Sequence, residues 1–175
     1  GAQQVTATVV DDDPPPEGTL SLAGSPLAEA TGSATVTATL SAVSGLDVTV
    51  NLAFSGTAVL TSDYTRTGQT ITIPAGSTSG AVPLAAVQDA LDETDETIVV
   101  MIDSLANGVE SGTQQVTATI LADDLLPEVT LSLAGSPMSE ASGNAMVTAS
   151  LSAVSGLDVT VNLAFSGTAV LTSDY

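Results

Sequence analysis

The sequence predicts an all-β protein, an immunoglobulin-like, seven-stranded Greek-key β-sandwich in head-to-tail tandem repeats of 111 residues. Three observations carry that prediction. Apolar and polar residues alternate with period two in segment after segment, as in Ala34-Thr35-Val36-Thr37-Ala38-Thr39-Leu40. Gly, Ser, Pro and Asp punctuate between those segments, at Gly24-Ser25-Pro26, Ser44-Gly45, Ser55-Gly56, Pro74-Ala75-Gly76 and Asn107-Gly108. The stretch Leu20–Tyr64 also returns at Leu131–Tyr175, an offset of 111 residues. Hydrophobic residues make up 43% of the 175, enough to build a core.

The strands follow in order. The first lies near 19–23 and stops at Gly24-Ser25-Pro26. The second, 34–41, and the third, 47–54, alternate cleanly around the Ser44-Gly45 turn. The fourth, 69–73, contains Thr70-Ile71-Thr72-Ile73, and the fifth, 80–87, follows the Pro74-Ala75-Gly76 turn. The sixth, 97–103, is a more continuous apolar run, which suits a strand inside a sheet. The seventh, 114–121, alternates through Val116-Thr117-Ala118-Thr119-Ile120. Seven short strands in about 110 residues favour a sandwich. Helical periodicity is weak throughout, and its best stretch, 84–91, is short and acid-bounded.

The repeat sets the domain organisation. Residues 14–64 and 125–175 match at 42 of 51 positions, and 41–64 and 152–175 are identical. Gln3-Gln4-Val5-Thr6-Ala7-Thr8 likewise reappears at 114–119. A unit of 111 residues is domain-sized. Residues 1–13 are therefore expected to be the last strand and acidic end of a preceding repeat, 14–124 a complete repeat, and 125–175 the first half of a following one. That reading makes the chain a segment of a longer array.

Composition narrows the chemistry. There are 20 Asp or Glu residues against one Arg, for a formal net charge of −19, and no His, Cys or Trp. Ser-His-Asp and Cys-His nucleophiles, zinc fingers and disulfides are thereby excluded. One base, Arg66, cannot neutralise phosphates, so no nucleic-acid partner is expected. No apolar run is long enough to predict membrane insertion of this segment. Aromatic content is 2%, too low for a sugar platform beside the paired Asp92 and Glu93, so no enzyme is expected. What remains is oxygen chemistry.

Sandwich topology gathers the carboxylates. The sixth and seventh strands are expected as antiparallel neighbours, so Asp89–Glu96 before one and Asp123–Asp124 after the other share an end. The third strand also neighbours the sixth, which brings Asp63 to that end, and the second begins there, just after Glu29. Like charges at ~4 Å cost roughly 1 kcal/mol each in water, more when desolvated. A divalent cation would offset this, and Ca2+, with six to eight oxygen ligands, suits irregular acidic loops better than Mg2+. Glu96 divides evenly between a ligand and a structural role bonding its own loop. Asp47, Asp103 and Glu110 read as surface charges, and Tyr64 as packing beneath the loop.

Ser62-Asp63-Tyr64, the turn Pro74–Ser77, the run Asp89-Ala90-Leu91-Asp92-Glu93-Thr94-Asp95-Glu96-Thr97 and the closing Asp123-Asp124 together resemble the Calx-beta domain family. Leu40–Val50 is similar to its second hairpin. The resemblance spans the whole 111-residue unit. It implies a seven-stranded sandwich holding Ca2+ at one pole, in a family found in sodium–calcium exchangers, an integrin subunit and very large bacterial surface proteins. The ligands it implies are Glu29, Asp63, Asp89, Glu93, Asp123 and Asp124, and Asp92 joins them as a candidate. Asp11, Asp12, Asp13, Glu140 and Asp174 would be partial sites of neighbouring repeats. Ala90 and Ala122 stand where the family often has further acids.

The function this predicts is a calcium-binding structural repeat, stiffened by Ca2+, in the extracellular or cell-surface stalk of an adhesin or filament. The partners expected are neighbouring repeats of the same chain and self-associating copies. The alternatives are a regulatory calcium sensor on a membrane protein and an acidic spacer that binds no metal. Pro14-Pro15-Pro16 favours a stiff polyproline II linker, and Leu125-Leu126 in the second linker are expected to bury between units.

Overall fold

The structure, a computed structural model, describes residues 1–170. Residues 17–121 fold as two five-stranded sheets face to face. In chain order the strands are β1 (Glu17–Ala23), β2 (Leu27–Ala28), β3 (Ser33–Leu40), β4 (Val48–Gly56), β5 (Tyr64–Arg66), β6 (Thr70–Ile73), β7 (Ser79–Ala86), β8 (Glu96–Ala106), β9 (Val109–Glu110) and β10 (Gln115–Leu121). One sheet runs β5-β7-β3-β1-β9, the other β2-β10-β8-β4-β6. The all-β sandwich expected from the sequence is present, and each of the seven expected strands has its counterpart. No helix among the described residues is long and apolar enough to cross a membrane.

Period-two alternation builds the core. Ala34, Val36, Ala38 and Leu40 of β3 are buried on one face, and Val48, Val50 and Leu52 of β4 oppose them from the other sheet. β8 lies between β10 and β4 as expected for its apolar run, with Ile98 and Val100 fully buried. Burying such side chains contributes about 1.5–3 kcal/mol each before entropic costs. Three strands were not expected: β2, β5 and β9, of two, three and two residues. They are too short to alternate, and their pairing partners lie far along the chain. Gly24 takes a φ of +88°, and a Cβ there would meet the Ser33 carbonyl oxygen at 2.4 Å, so the crossing from β1 to β2 needs glycine.

Beyond β10 the described residues show one hairpin, β11 (Val129–Ala134) with β12 (Met146–Leu151). Its register, Val129↔Leu151 to Ala134↔Met146, is that of β1 and β3, Gly18↔Leu40 to Ala23↔Thr35, displaced by 111 residues. Residues 1–13, expected as a last strand, carry none and are exposed. The identical letters become β10 only where β8 and β2 supply hydrogen-bond partners. Leu125 and Leu126, expected to be buried between units, are instead 90% and 77% exposed. The segment after β12 meets the sandwich through a turn, with Ser155 bridged to Asp92.

Candidate metal centre

Glu29, Asp63, Asp89, Glu93, Glu96 and Asp124 come together at one pole, as sheet topology requires. β8 starts there and the antiparallel β10 ends there, with Thr119 opposite Thr97 and Ile120 opposite Glu96. β2 runs parallel to β10 and delivers Glu29 one residue beyond Ala28, its backbone N–H donating to the Leu121 carbonyl at 3.2 Å. Asp63 stands just before β5, where its N–H donates to the Val59 carbonyl and its carboxylate accepts from Val59 N–H. The Val87 N–H donates to the Asp63 carbonyl at 2.9 Å, tying the start of β5 to the end of β7.

Two carboxylate triads result. Glu29, Asp89 and Asp124 form one, and Asp63, Glu93 and Glu96 the other, each with one oxygen per residue within 4.8 Å of the others. A small cavity of about 10 Å³ is lined by Glu29, Asp63, Asp89, Glu93 and Glu96, with Ile120 beside them. Glu29 is 8% exposed, and its Oε1 accepts from the Asp89 N–H at 3.2 Å. Asp89 Oδ1 in turn accepts from Leu91 N–H at 2.7 Å, which shapes the loop. Asp95 Oδ1 accepts from Ala122 N–H at 3.2 Å and pins that loop to the end of β10.

The pole is electrostatically strained. Lost hydration, a hydrogen bond to Asp63 and the charges of Asp63, Glu93 and Glu29 push the Glu96 carboxyl up to about 7. Lost hydration and the charges of Asp63, Asp89, Glu29 and Asp124 raise Glu93. Lost hydration raises Asp124, together with Asp123, Asp89 and Asp92. The chain's one basic side chain does not serve this pole, since the Arg66 guanidinium lies over the Phe54 ring, 3.8 Å from its centroid.

A hard cation fits these residues. Every donor is an oxygen, and the loops are irregular enough for a high coordination number. Asp124 Oδ2 is shielded from water and has no hydrogen-bond partner. A shielded carboxylate oxygen left so is costly, and a cation is one way to satisfy it.

Of the candidates read from sequence, Glu29, Asp63, Asp89, Glu93 and Asp124 fall in the triads, and Asp92 and Asp123 fall outside them. Asp123 is exposed; Asp92 is buried and bonded by Ser155 of the turn after β12. Asp11, Asp12, Asp13 and Glu140 are exposed and join neither triad, and Asp174 lies outside the described residues. Glu96, left between two roles, completes the second triad. Its signal was parity: it shares a face of β8 with Ile98, Val100 and Ile102. Tyr64, 4% exposed, belongs to the core as expected.

The model of the Calx-beta domain family matches residues 6–125. The fold resembles the crystal structure of the apo-form Calx CBD1 domain, with TM-score 0.52, 20% identity and coverage of 62% of this chain and 98% of that one. It also resembles CBD12 from CALX1.2, at TM-score 0.52 and 18% identity, covering 62% of this chain. That match spans 44% of the CBD12 chain, and at these identities both likenesses show the fold alone. No curated protein matches the sequence.

Proposed function

The chain belongs to the Calx-beta domain family, and from that premise we propose that its acidic pole binds Ca2+ and that the bound ion stiffens a structural repeat. Glu29, Asp89 and Asp124 would hold one ion, and Asp63, Glu93 and Glu96 a second. The observation that carries this reading is the pair of oxygen-only triads, one of them containing the shielded, unpartnered Asp124 Oδ2. Bound Ca2+ supplies positive charge where carboxylates otherwise repel. The chain's own residues hold the loops: Glu29 fixes Asp89, and Asp95 fixes the end of β10.

The 111-residue repeat and the displaced hairpin register support a tandem array, with 1–13 and 125–175 as parts of flanking units. An array of such units fits the stalk of an adhesin or surface filament outside the cell, where extracellular modules bind Ca2+ at about 10⁻⁴–10⁻³ M. Thermal melts of the full chain test the metal reading. Ca2+ at a hundred times its Kd should stabilise the fold by about 2.7 kcal/mol over chelator, and equimolar Mg2+ should do far less. Coincident melts would leave an acidic spacer that binds no metal.

A further inference from the structure

Outside the triads, one acidic residue is buried by a different partner. Asp92 is 6% exposed because a turn of the second unit lies on it. Ser155 Oγ donates to Asp92 Oδ2 at 3.0 Å, and the Gly156 N–H donates to the Asp92 carbonyl at 2.9 Å. The approach is close: a Cβ on Gly156 would meet Glu93 Cγ at 2.8 Å and the Asp92 carbonyl oxygen at 3.1 Å.

The repeat supplies an internal control. Ser44-Gly45 is the same turn in the complete unit, yet a Cβ on Gly45 would meet nothing within 4 Å. Both turns are organised alike, with Leu46 N–H donating to Ser44 Oγ at 3.0 Å and Leu157 N–H to Ser155 Oγ at 3.1 Å. Neither glycine is among those with positive φ, so the turn itself does not demand one. Contact with Asp92 and Glu93 does.

We propose that the Ser155-Gly156 turn is a docking element that seats the second unit on the acidic loop of the first, with Asp92 as its post. The interaction surface is Asp92–Glu93, and its partner is this preorganised Ser-Gly turn of the same chain. Asp92 is then a positioning residue of the junction. The contact uses a hydroxyl, an amide N–H and shape, and requires no bound cation.

Amide hydrogen exchange on the full chain, in chelator, compares the two turns directly. The Gly156 N–H should exchange about tenfold or more slowly than the Gly45 N–H. Gly156→Val should abolish that protection and free residues 125–170 to reorient faster, as nuclear relaxation reads, while the melt of 14–124 stays unchanged. Gly45→Val should leave the junction as it was. Equal exchange at the two glycines, or equal effects of the two valines, would overturn the proposal. Because no Ca2+ is present, failure here is separate from failure of the metal reading.

Discussion

Glu96 opens β8 on the face that carries Ile98, Val100 and Ile102 inward, so its carboxyl is partly stripped of water and hydrogen-bonded to Asp63. A carboxyl raised from its ordinary value to about 7 binds more protons in the folded state than in the unfolded one. Stability of the metal-free chain should therefore fall as pH rises between about 4.5 and about 7, then level off. Melts in chelator across that range check this, and Glu96→Gln should flatten the slope and raise the melting temperature at pH 8. Calcium should reverse the trend, since it competes with protons for the same oxygens. Asp124→Asn removes one charged oxygen from the other triad and should weaken Ca2+ binding on the order of tenfold, by calorimetric titration. At this scale the sequence was informative where topology alone decides position, as for Glu29, Asp63, Asp89, Glu93 and Asp124. It offered Asp92 as a metal ligand, whereas Asp92 lies outside both triads and is bonded by a turn 63 residues away that no local pattern announces.

Elements show why the fold was largely legible and where legibility ended. Val48–Gly56 and 159–167 have the same letters, but the first is β4 and the second carries no strand. Alternation says which face a residue would turn inward; it cannot supply the neighbour that makes turning inward worthwhile. Val50 is fully buried between β6 and β8, whereas its copy Val161 is 37% exposed. Val50→Ala should cost about 2 kcal/mol in denaturant titration, and Val161→Ala close to nothing. The short β2, β5 and β9 escaped the sequence because their ladders hold too few residues to leave a pattern.

For the whole molecule, the acidic pole of the sandwich is also the pole that the Ser155-Gly156 turn touches, so a cation held there would restrain both. Digestion by a protease of broad specificity should slow markedly in millimolar Ca2+ relative to chelator. Trypsin is uninformative, having Arg66 as its one cleavage residue. Equal rates would count against calcium stiffening.

The parallel pairing of β2 with β10 has a mechanical consequence. β1 and β2 carry the chain in from the pole opposite the acids, and β10 carries it out at the acidic pole. Tension applied between residue 17 and residue 121 therefore drags β2 and β10 lengthwise past one another. The Ile120↔Leu27 and Leu121↔Ala28 ladder, and the antiparallel β1–β3 ladder beside it, are loaded in shear, all rungs together. A ladder pulled that way does not unzip rung by rung from one end. The unit should hold its length under load and then yield in a single step.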